Sequence, residues 1–431
     1  MAEHDGHTPL PTASDSTSSL PGPLGAGFWR LWTSSGLSNL ADGALKAALP
    51  LVALSLTDSP LLIAGVATAL SLPWLLCALP AGALADRLDR RRAMIGANVA
   101  RTVLLLFLAL SLTLGFGSLW LLYAVAFAIG VTETLYDTSA QSILPQLVPR
   151  ARLSRANGRL YAAELTAQGF VGPPLGSALV AAGVGLAFVT PAALWAAAAG
   201  ALLLVGGGFR VDRTGPATTL RAEIAEGVRF LWGNRLLRRF ALMVGASNFV
   251  TQAAFAVLVL YAVGAGSSLR LPEAAFGLLL TAGAVGGLLG SFLVAWVERR
   301  LGRTWSLRIS VLGFALFVGV PGLTTHLWVV MAGLCAGGAA MMVWNVIVVS
   351  LRQRLTPDLL LGRVNSVFRL LAWGTMPLGA ATGGVLASLI GLRPMYLLLG
   401  GAMLLLLLPL IRLSDARMDA AEAVTQKRRT R

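Results

Sequence analysis

Residues Leu135–Leu160 read LYDTSAQSILPQLVPRARLSRANGRL, and residues Val343–Phe368 read VWNVIVVSLRQRLTPDLLLGRVNSVF. At a constant spacing of 208 positions Asp137 falls on Asn345, Leu147 on Leu355, Pro149 on Pro357 and Leu153 on Leu361. Arg155 falls on Arg363, Asn157 on Asn365 and, further along, Gly176 on Gly384. A second echo, at 212 positions, sets Asp86, Arg87 and Arg91 of LADRLDRRR against Glu298, Arg299 and Arg303 of WVERRLGR. The chain is two parallel copies of one pattern.

Composition says what the copies are made of. Of 431 residues, 56% are hydrophobic and only 12% charged, with a mean hydropathy of +0.76. A soluble domain of this size needs far more surface charge. Apolar runs of about 20 residues, each long enough to cross a bilayer, recur along most of the length. Apolar spans between polar breaks predict twelve helices, near 30–55, 61–85, 93–114, 118–143, 155–182 and 185–206, then 238–263, 274–297, 305–324, 327–354, 362–389 and 393–412. The fold class is therefore an all-α membrane protein of two six-helix bundles. Its expected parts are a disordered tail (1–27), the first bundle (28–206), a linker (207–237), the second bundle (238–413) and a basic tail (414–431). In the linker Leu220, Ile224, Val228 and Leu231 share one face, as in a helix lying on the membrane surface.

The net charge of +15 is not spread evenly. Arginines gather in every second loop: Arg87, Arg90, Arg91 and Arg92; Arg150, Arg152 and Arg155; Arg235, Arg238 and Arg239; Arg299, Arg300 and Arg303; Arg352, Arg354 and Arg363. The alternate loops carry almost no base, Arg270 and Arg393 excepted. This alternation is the positive-inside pattern, and it places both termini in the cytoplasm of an inner or plasma membrane. It also accounts for the basic charge without nucleic acid; the surroundings implied are lipid and a small-molecule substrate. Cys77 and Cys335 lie inside apolar spans, so no disulfide framework is implied. No His/Cys cluster suited to a metal is found, and no cofactor is expected. The N-terminal tail lacks the basic and apolar regions of a cleaved signal. Arginine in preference to lysine, with abundant Ala, Leu and Gly, points to a GC-rich bacterial genome. Parallel six-helix repeats in a membrane place a substrate site between the halves at mid-depth, opened alternately to each side. No HExxH, serine-nucleophile elbow or P-loop is found, which argues against an enzyme and against ATP-driven pumping by this chain.

GALADRLDRRR (Gly82–Arg92) resembles the signature loop of the major facilitator superfamily, with Asp89 where that pattern has its second glycine. Leu144–Asn157 and GFVGPPLGS (Gly169–Ser177) resemble the branch that holds macrolide-efflux proteins and the enterobactin exporter. The resemblance covers roughly residues 28–412. It implies a twelve-helix fold and secondary transport, most often export exchanged for protons; a monomer is the expected state. It also implies that helices 1, 4, 7 and 10 line the central cavity, with Asp42 and Glu133 facing it. In the loop, Gly82, Asp86, Arg87, Arg90 and Arg91, with Glu298, Arg299 and Arg303 in the second copy, are the expected gate, held by carboxylate–guanidinium contacts. Gly169, Gly172, Pro173 and Gly176 share a small face that resembles the glycine–proline motif of antiporters, though Ser177 stands at its final glycine. Gly283, Gly286, Gly287 and Gly290 offer a matching small face for close helix contact.

Charges inside the spans nominate the site. If the first helix starts near Arg30, Asp42 lies about 18 Å along it, close to the midplane. Asn39, Asp42 and Lys46 share one face at spacings of three and four. Lys46 and Lys427 are the only lysines. A charge at mid-bilayer costs a few kcal/mol, so it needs a partner or a watery cavity. Asp42–Lys46 is the expected pair, with Arg101 as a partner for Glu133 or Glu164. A carboxylic acid away from water takes up a proton more readily, which makes Glu133 the expected proton carrier and Asp42 the next candidate. Asp137 and Glu164 are read as structural. Asn248, Gln252, Trp344, Asn345 and Arg369 supply neutral polar, aromatic and cationic groups from the second half. The function expected is proton-driven export of small amphipathic or weakly basic compounds. The alternative is a dedicated exporter or an uptake symporter of one anionic metabolite such as a siderophore, which Lys46 and Arg369 would favour.

Overall fold

The computed structural model describes residues 24–77, 84, 88–149, 152–209, 220–264 and 266–429. Among these the chain is almost wholly helical. The first half comprises α1 (Ala26–Leu56), α2 (Pro60–Leu76), α3 (Arg90–Thr113), α4 (Leu119–Leu147), α5 (Leu153–Glu164), α6 (Gly172–Ala182) and α7 (Val184–Leu203). Then come α8 (Leu220–Gly233), α9 (Arg235–Phe255), α10 (Leu258–Ala262), α11 (Glu273–Leu323), α12 (Leu327–Leu355), α13 (Asp358–Gly374) and α14 (Met376–Ile390). The chain closes with α15 (Leu392–Leu404), α16 (Leu407–Ile411) and α17 (Asp415–Arg429). Eight of the described helical stretches are long and apolar enough to cross a membrane, and Pro60–Leu76 is a shorter apolar helix.

Local chemistry explains the boundaries. Asn234 caps α9, its side chain accepting from the amides of Leu236 and Leu237. Ser118 does the same for α4 by accepting from the Leu121 amide. Between α5 and α6 runs a π-helical stretch, Leu165–Val171. Pro173 and Pro174 follow after Gly172, and neither has an N–H to donate to the preceding turn, so the ladder loosens where it loses its donors. In α11 Gly302 adopts φ 76°, a left-handed break that only glycine tolerates cheaply. A side chain there would also run into Asp415 of α17.

Helices in lipid gain little from hiding apolar surface from one another, so close backbone approach carries the packing. Phe292, Trp328, Trp120 and Leu389 stand well exposed on the outside, as lipid-facing residues do. Gly172 lies against Gly43, and Gly176 against the backbone of Ala44, which seats α6 on α1. From the same segment Pro173 presses on Gly277 of α11, and Gly169 faces Ala284. The reciprocal contact sets Gly384 of α14 against Leu61 and Ala64 of α2. The small face of α11 meets a different partner from the one expected: Gly286 and Gly290 pack on Cys335 and Ala339 of α12, inside the second half.

Replacing Gly176 by valine drives Cβ into the Ala44 carbonyl. Overpacking of this kind costs roughly 1–3 kcal/mol. Gly176→Val is expected to lower the thermal midpoint of the detergent-purified protein by several degrees, read by intrinsic tryptophan fluorescence. An unchanged midpoint would mean that the α1–α6 seam is not tight.

Candidate functional site

The structure starts α1 at Ala26, which sets Asp42 about 24 Å along the helix, deeper than expected. Across from it, on α3, Arg101 is fully buried. Its Nη1 lies 3.6 Å from Asp42 Oδ1. Nε donates to Thr132 Oγ1 at 3.1 Å and Nη1 to Ser38 Oγ at 3.4 Å. The guanidinium carbon sits 5.2 Å from the ring centres of both Tyr136 and Trp195, a cation–π arrangement that offsets desolvation. Asp42 thus pairs with Arg101, not Lys46, and Arg101 pairs with neither Glu133 nor Glu164. Arginine reaches further than a neighbour one turn away on the same helix and offers five donors, so it satisfies a buried carboxylate from a facing helix.

Asp42 opens on its other side into a cavity of about 730 Å³. Asn39 and Lys46 of α1, Glu133, Asp137 and Gln141 of α4, Glu164 of α5, Gln168 of the π-stretch and Gln252 of α9 line it, with Trp74, Tyr136 and Trp373 as aromatic walls. Asp137 and Glu164, read from sequence as structural, therefore share the chamber with Asp42 and Glu133. Glu133, Asp137, Glu164 and Lys46 form no ion pair among the described residues. Asn39 is held by its own helix, donating to the Ser35 carbonyl at 2.8 Å.

Asn248, Trp344, Asn345 and Arg369 line a second chamber of about 320 Å³, together with Arg352, Phe314 and Phe368. Trp344 packs edge-on to Phe240 and Phe314. Asn248 donates to the Ala372 carbonyl at 2.8 Å, where α13 gives way to α14. Between the chambers Trp74 of the first half meets Trp373 of the second, ring centres 4.3 Å apart. Arg369 lies over Trp373 at 4.5 Å and donates to Gln141 at 2.8 Å. Sequence reasoning passed over Trp74, Trp373 and Arg352, while Gln168 stood out only by its spacing of four from Glu164. The aromatic pair had no signal in either copy alone, while Arg352 was absorbed into the count of loop arginines.

Of the expected gate, Gly82, Asp86 and Arg87 lie outside the described residues. Arg90 does not meet an acid; its Nη1 donates to the Ser142 carbonyl at 2.7 Å. Arg91 donates to the carbonyls of Leu202 and Leu203, at 2.8 and 2.6 Å. Both neutralise the carbonyl-rich ends of helices. Asp89 caps α3 by accepting from the Arg92 amide at 3.0 Å and ties down Phe209, whose amide donates at 2.7 Å. In the second copy Glu298 forms no ion pair among the described residues, and Arg299 donates to Ala295 of its own helix. Arg303 holds α17 instead, pairing with Asp419 and, at 2.5 Å, with Glu422. Thr304 donates to Asp415 from backbone and side chain, at 2.8 and 2.6 Å. Among the described residues no group of three or more metal-binding side chains occurs.

Helical spans around a cavity lined with charged and polar side chains, with charges kept from lipid by one another and by that cavity, define a membrane transporter. The sequence model of the transmembrane secretion effector family, within the major facilitator superfamily, matches residues 18–431, and the chain belongs to that family. It is 29% identical over 381 residues to the multidrug efflux pump Tap of Mycolicibacterium fortuitum, covering 85% of this chain and 90% of that one. It is 30% identical over 384 residues to the Tap pump of Mycobacterium tuberculosis, covering 83% and 86%. The fold is shared with the nucleoside transporter NupG, at TM-score 0.69 and 12% identity over 90% of this chain and all of that one. A bacterial ferroportin homologue in an inward-facing state matches at TM-score 0.63 and 20% identity, over 90% and 98%. These relatives are transporters, not enzymes.

Removing Arg101 leaves Asp42, whose side chain is 14% exposed, without its partner, at a cost of at most about 3–5 kcal/mol, the range for a fully buried pair. Arg101→Ala is expected to cut the yield of folded protein sharply, and Asp42→Asn in the same chain to restore part of it, read by size-exclusion profile and thermal midpoint. Equal yields for the single and double variants would dissolve the pair. Burial raises the Asp89 carboxyl's pKa, but the amides of Phe209, Arg92 and Arg91 outweigh it and hold it below the usual 3.8. Its stabilising effect is then complete above that value and lost as pH falls through the depressed one. Asp89→Asn should accordingly lower the midpoint at pH 7 and converge with wild type in strong acid.

Proposed function

We propose that the chain is a proton-coupled exporter of small amphipathic or weakly basic compounds, working as a monomer with no bound cofactor. The observation that carries this is the first chamber: four carboxylates, at Asp42, Glu133, Asp137 and Glu164, facing one space with Lys46 as the single cation among its lining residues. Such a chamber attracts cations and binds protons in competition with them, which is what exchange requires. The names of the Tap relatives, multidrug efflux pumps, support the direction and breadth of transport.

The architecture proposed is twelve spans in two six-helix bundles. Counting supports it: α11 divides at Gly302, while α5–α6, α9–α10, α13–α14 and α15–α16 each read as one span interrupted by a local break. The chamber is lined by the portions of α1, α4 and α5 nearest the arginine-rich loops, so the positive-inside pattern has it opening to the cytoplasm. The paired contacts α6–α11 and α2–α14 would be the surfaces about which the halves rock. Glu133 is the proton carrier in this reading because it faces the chamber near mid-depth of α4 and, unlike Asp42, forms no ion pair among the described residues. Asp42 follows, releasing Arg101 to its other partners when protonated. A second reading, export or uptake of one anionic metabolite, draws on Lys46 and Arg369.

Reconstitution into liposomes under an imposed pH gradient tests the proposal. Wild type should accumulate a cationic dye, and Glu133→Gln should lose gradient-driven accumulation while keeping exchange without a gradient. Intact coupling in the variant removes Glu133 from the mechanism. Movement of anions alone favours the second reading.

A further inference from the structure

The two chambers occupy equivalent places in the repeat. At the 208-residue spacing Tyr136 falls on Trp344, Asp137 on Asn345, Leu144 on Arg352 and Tyr161 on Arg369, and every member of these pairs lines its own chamber. The scaffold is shared but the charge is reversed. Where the first chamber gathers carboxylates, the second has two arginines and no acid among its lining residues.

Neither arginine has an acid in contact, although Asp137 of the first chamber acts on Arg369 from further away. Arg352 and Arg369 form no ion pair among the described residues. Arg352 lies over the Phe368 ring at 4.3 Å, and its buried Nε has no hydrogen-bond partner. Arg369 spends one N–H on Gln141 and turns its face to Trp373. Beside them Trp344, 4% exposed, carries a buried Nε1–H that also has no acceptor. Buried donors without acceptors are destabilising, and unpaired cations more so, unless something enters to accept from them. A fork of guanidinium donors with a nearby indole N–H suits a planar or tetrahedral oxyanion.

We propose that the second chamber binds an oxyanionic group, a carboxylate or phosphate, carried by the transported molecule. This rests on the exporter reading and narrows its substrate class. The preferred cargo is amphoteric: its cationic end lies among the carboxylates of the first chamber, and its anionic end passes the Trp74–Trp373 contact to Arg352 and Arg369.

Two dyes with the same xanthylium cation separate the cases: rhodamine 110 carries a free carboxylate, and rhodamine 123 is its methyl ester. In phosphatidylcholine nanodiscs, fluorescence polarisation should show wild type binding the acid roughly ten-fold more tightly than the ester. Arg352→Gln with Arg369→Gln should abolish that preference, so that acid and ester bind the double variant equally. Equal binding of acid and ester by wild type, or a preference that survives both substitutions, overturns the proposal while leaving cation export standing.

Should neither dye bind, the exporter reading fails in its cationic form, and a second measurement decides the anion site alone. Phenylglyoxal modification of arginines, mapped by mass spectrometry, should be slowed by inorganic phosphate at Arg352 and Arg369 but not at the exposed Arg299. Absence of protection, or no modification in either buffer, overturns the site. Protection that appears only with phosphatidylglycerol in the nanodisc, and not with phosphate, assigns the arginines to a lipid headgroup and overturns their role in cargo binding.

Discussion

A full positive charge with no access to water sits at the centre of the first half, and the surrounding helices are placed so that it can stay there. Arg101 extends from α3 to Ser38 and Asp42 of α1 and Thr132 of α4, and lies between rings from α4 and α7. Four helices therefore converge on one side chain. Each of these contacts is individually weak, since the ion-pair distance is long and the rings offer only quadrupoles. Their sum is what offsets desolvation, and it does so only while all four helices keep their spacing. That ties the electrostatics of the cavity to the packing of the bundle, because the acid that faces the cavity is the acid that satisfies the arginine.

Packing in this half is tuned to allow it. Where α6 meets α1, Gly43, Gly172 and Gly176 bring the backbones together with nothing between them. The same segment leans on α11 through Pro173, so one stretch of chain touches the fixed interior on one side and the opposite half on the other. The π-helical stretch just before it presents Gln168 to the cavity. A ladder loosened by two prolines is thus placed between the cavity and the α6–α11 contact, and under the proposed function a change in one could reach the other without breaking a well-formed helix.

Much of this was legible in the sequence for physical reasons. Span length, the alternation of arginines and the repeat are one-dimensional patterns imposed by the bilayer, so the helical membrane fold and the transporter class could be read from them. The cavity was partly legible: a charged residue in an apolar run has few tolerable places, and Asp42, Glu133 and Lys46 do face one space. Partners were not. Depth left Asp42, Glu133 and Glu164 all within reach of Arg101, and the rotation of α3 about its axis, which chooses among them, leaves no trace in spacing. The loop motif misled in the opposite way. Its arginines suggested pairing with acids, but the ends of α4 and α7 present carbonyls at closer range, and Arg90 and Arg91 take those. Asp89, which departs from the family pattern, proves to be a helix cap that the glycine it replaces could not provide.

The repeat also explains how one fold came to hold two chambers of opposite sign. The contacts that fix the backbones, Gly176 against Ala44 and Gly384 against Ala64, are made by small residues on faces turned away from the cavities. Lining positions contribute little to that fit, so they can change charge without moving a helix. Asp137 and Asn345 differ only in whether the side chain can ionise, and Leu144 and Arg352 differ by a full charge, yet each pair keeps its place on the wall. Opposite charges gathered in a single chamber would neutralise one another and leave little for a substrate to bind. Separated by the Trp74–Trp373 contact, they remain available, and under the proposal a molecule that spans the contact would be held by both halves at once. Under the proposed function, binding such a molecule would draw the halves together across the cavity and so couple occupancy to alternating access.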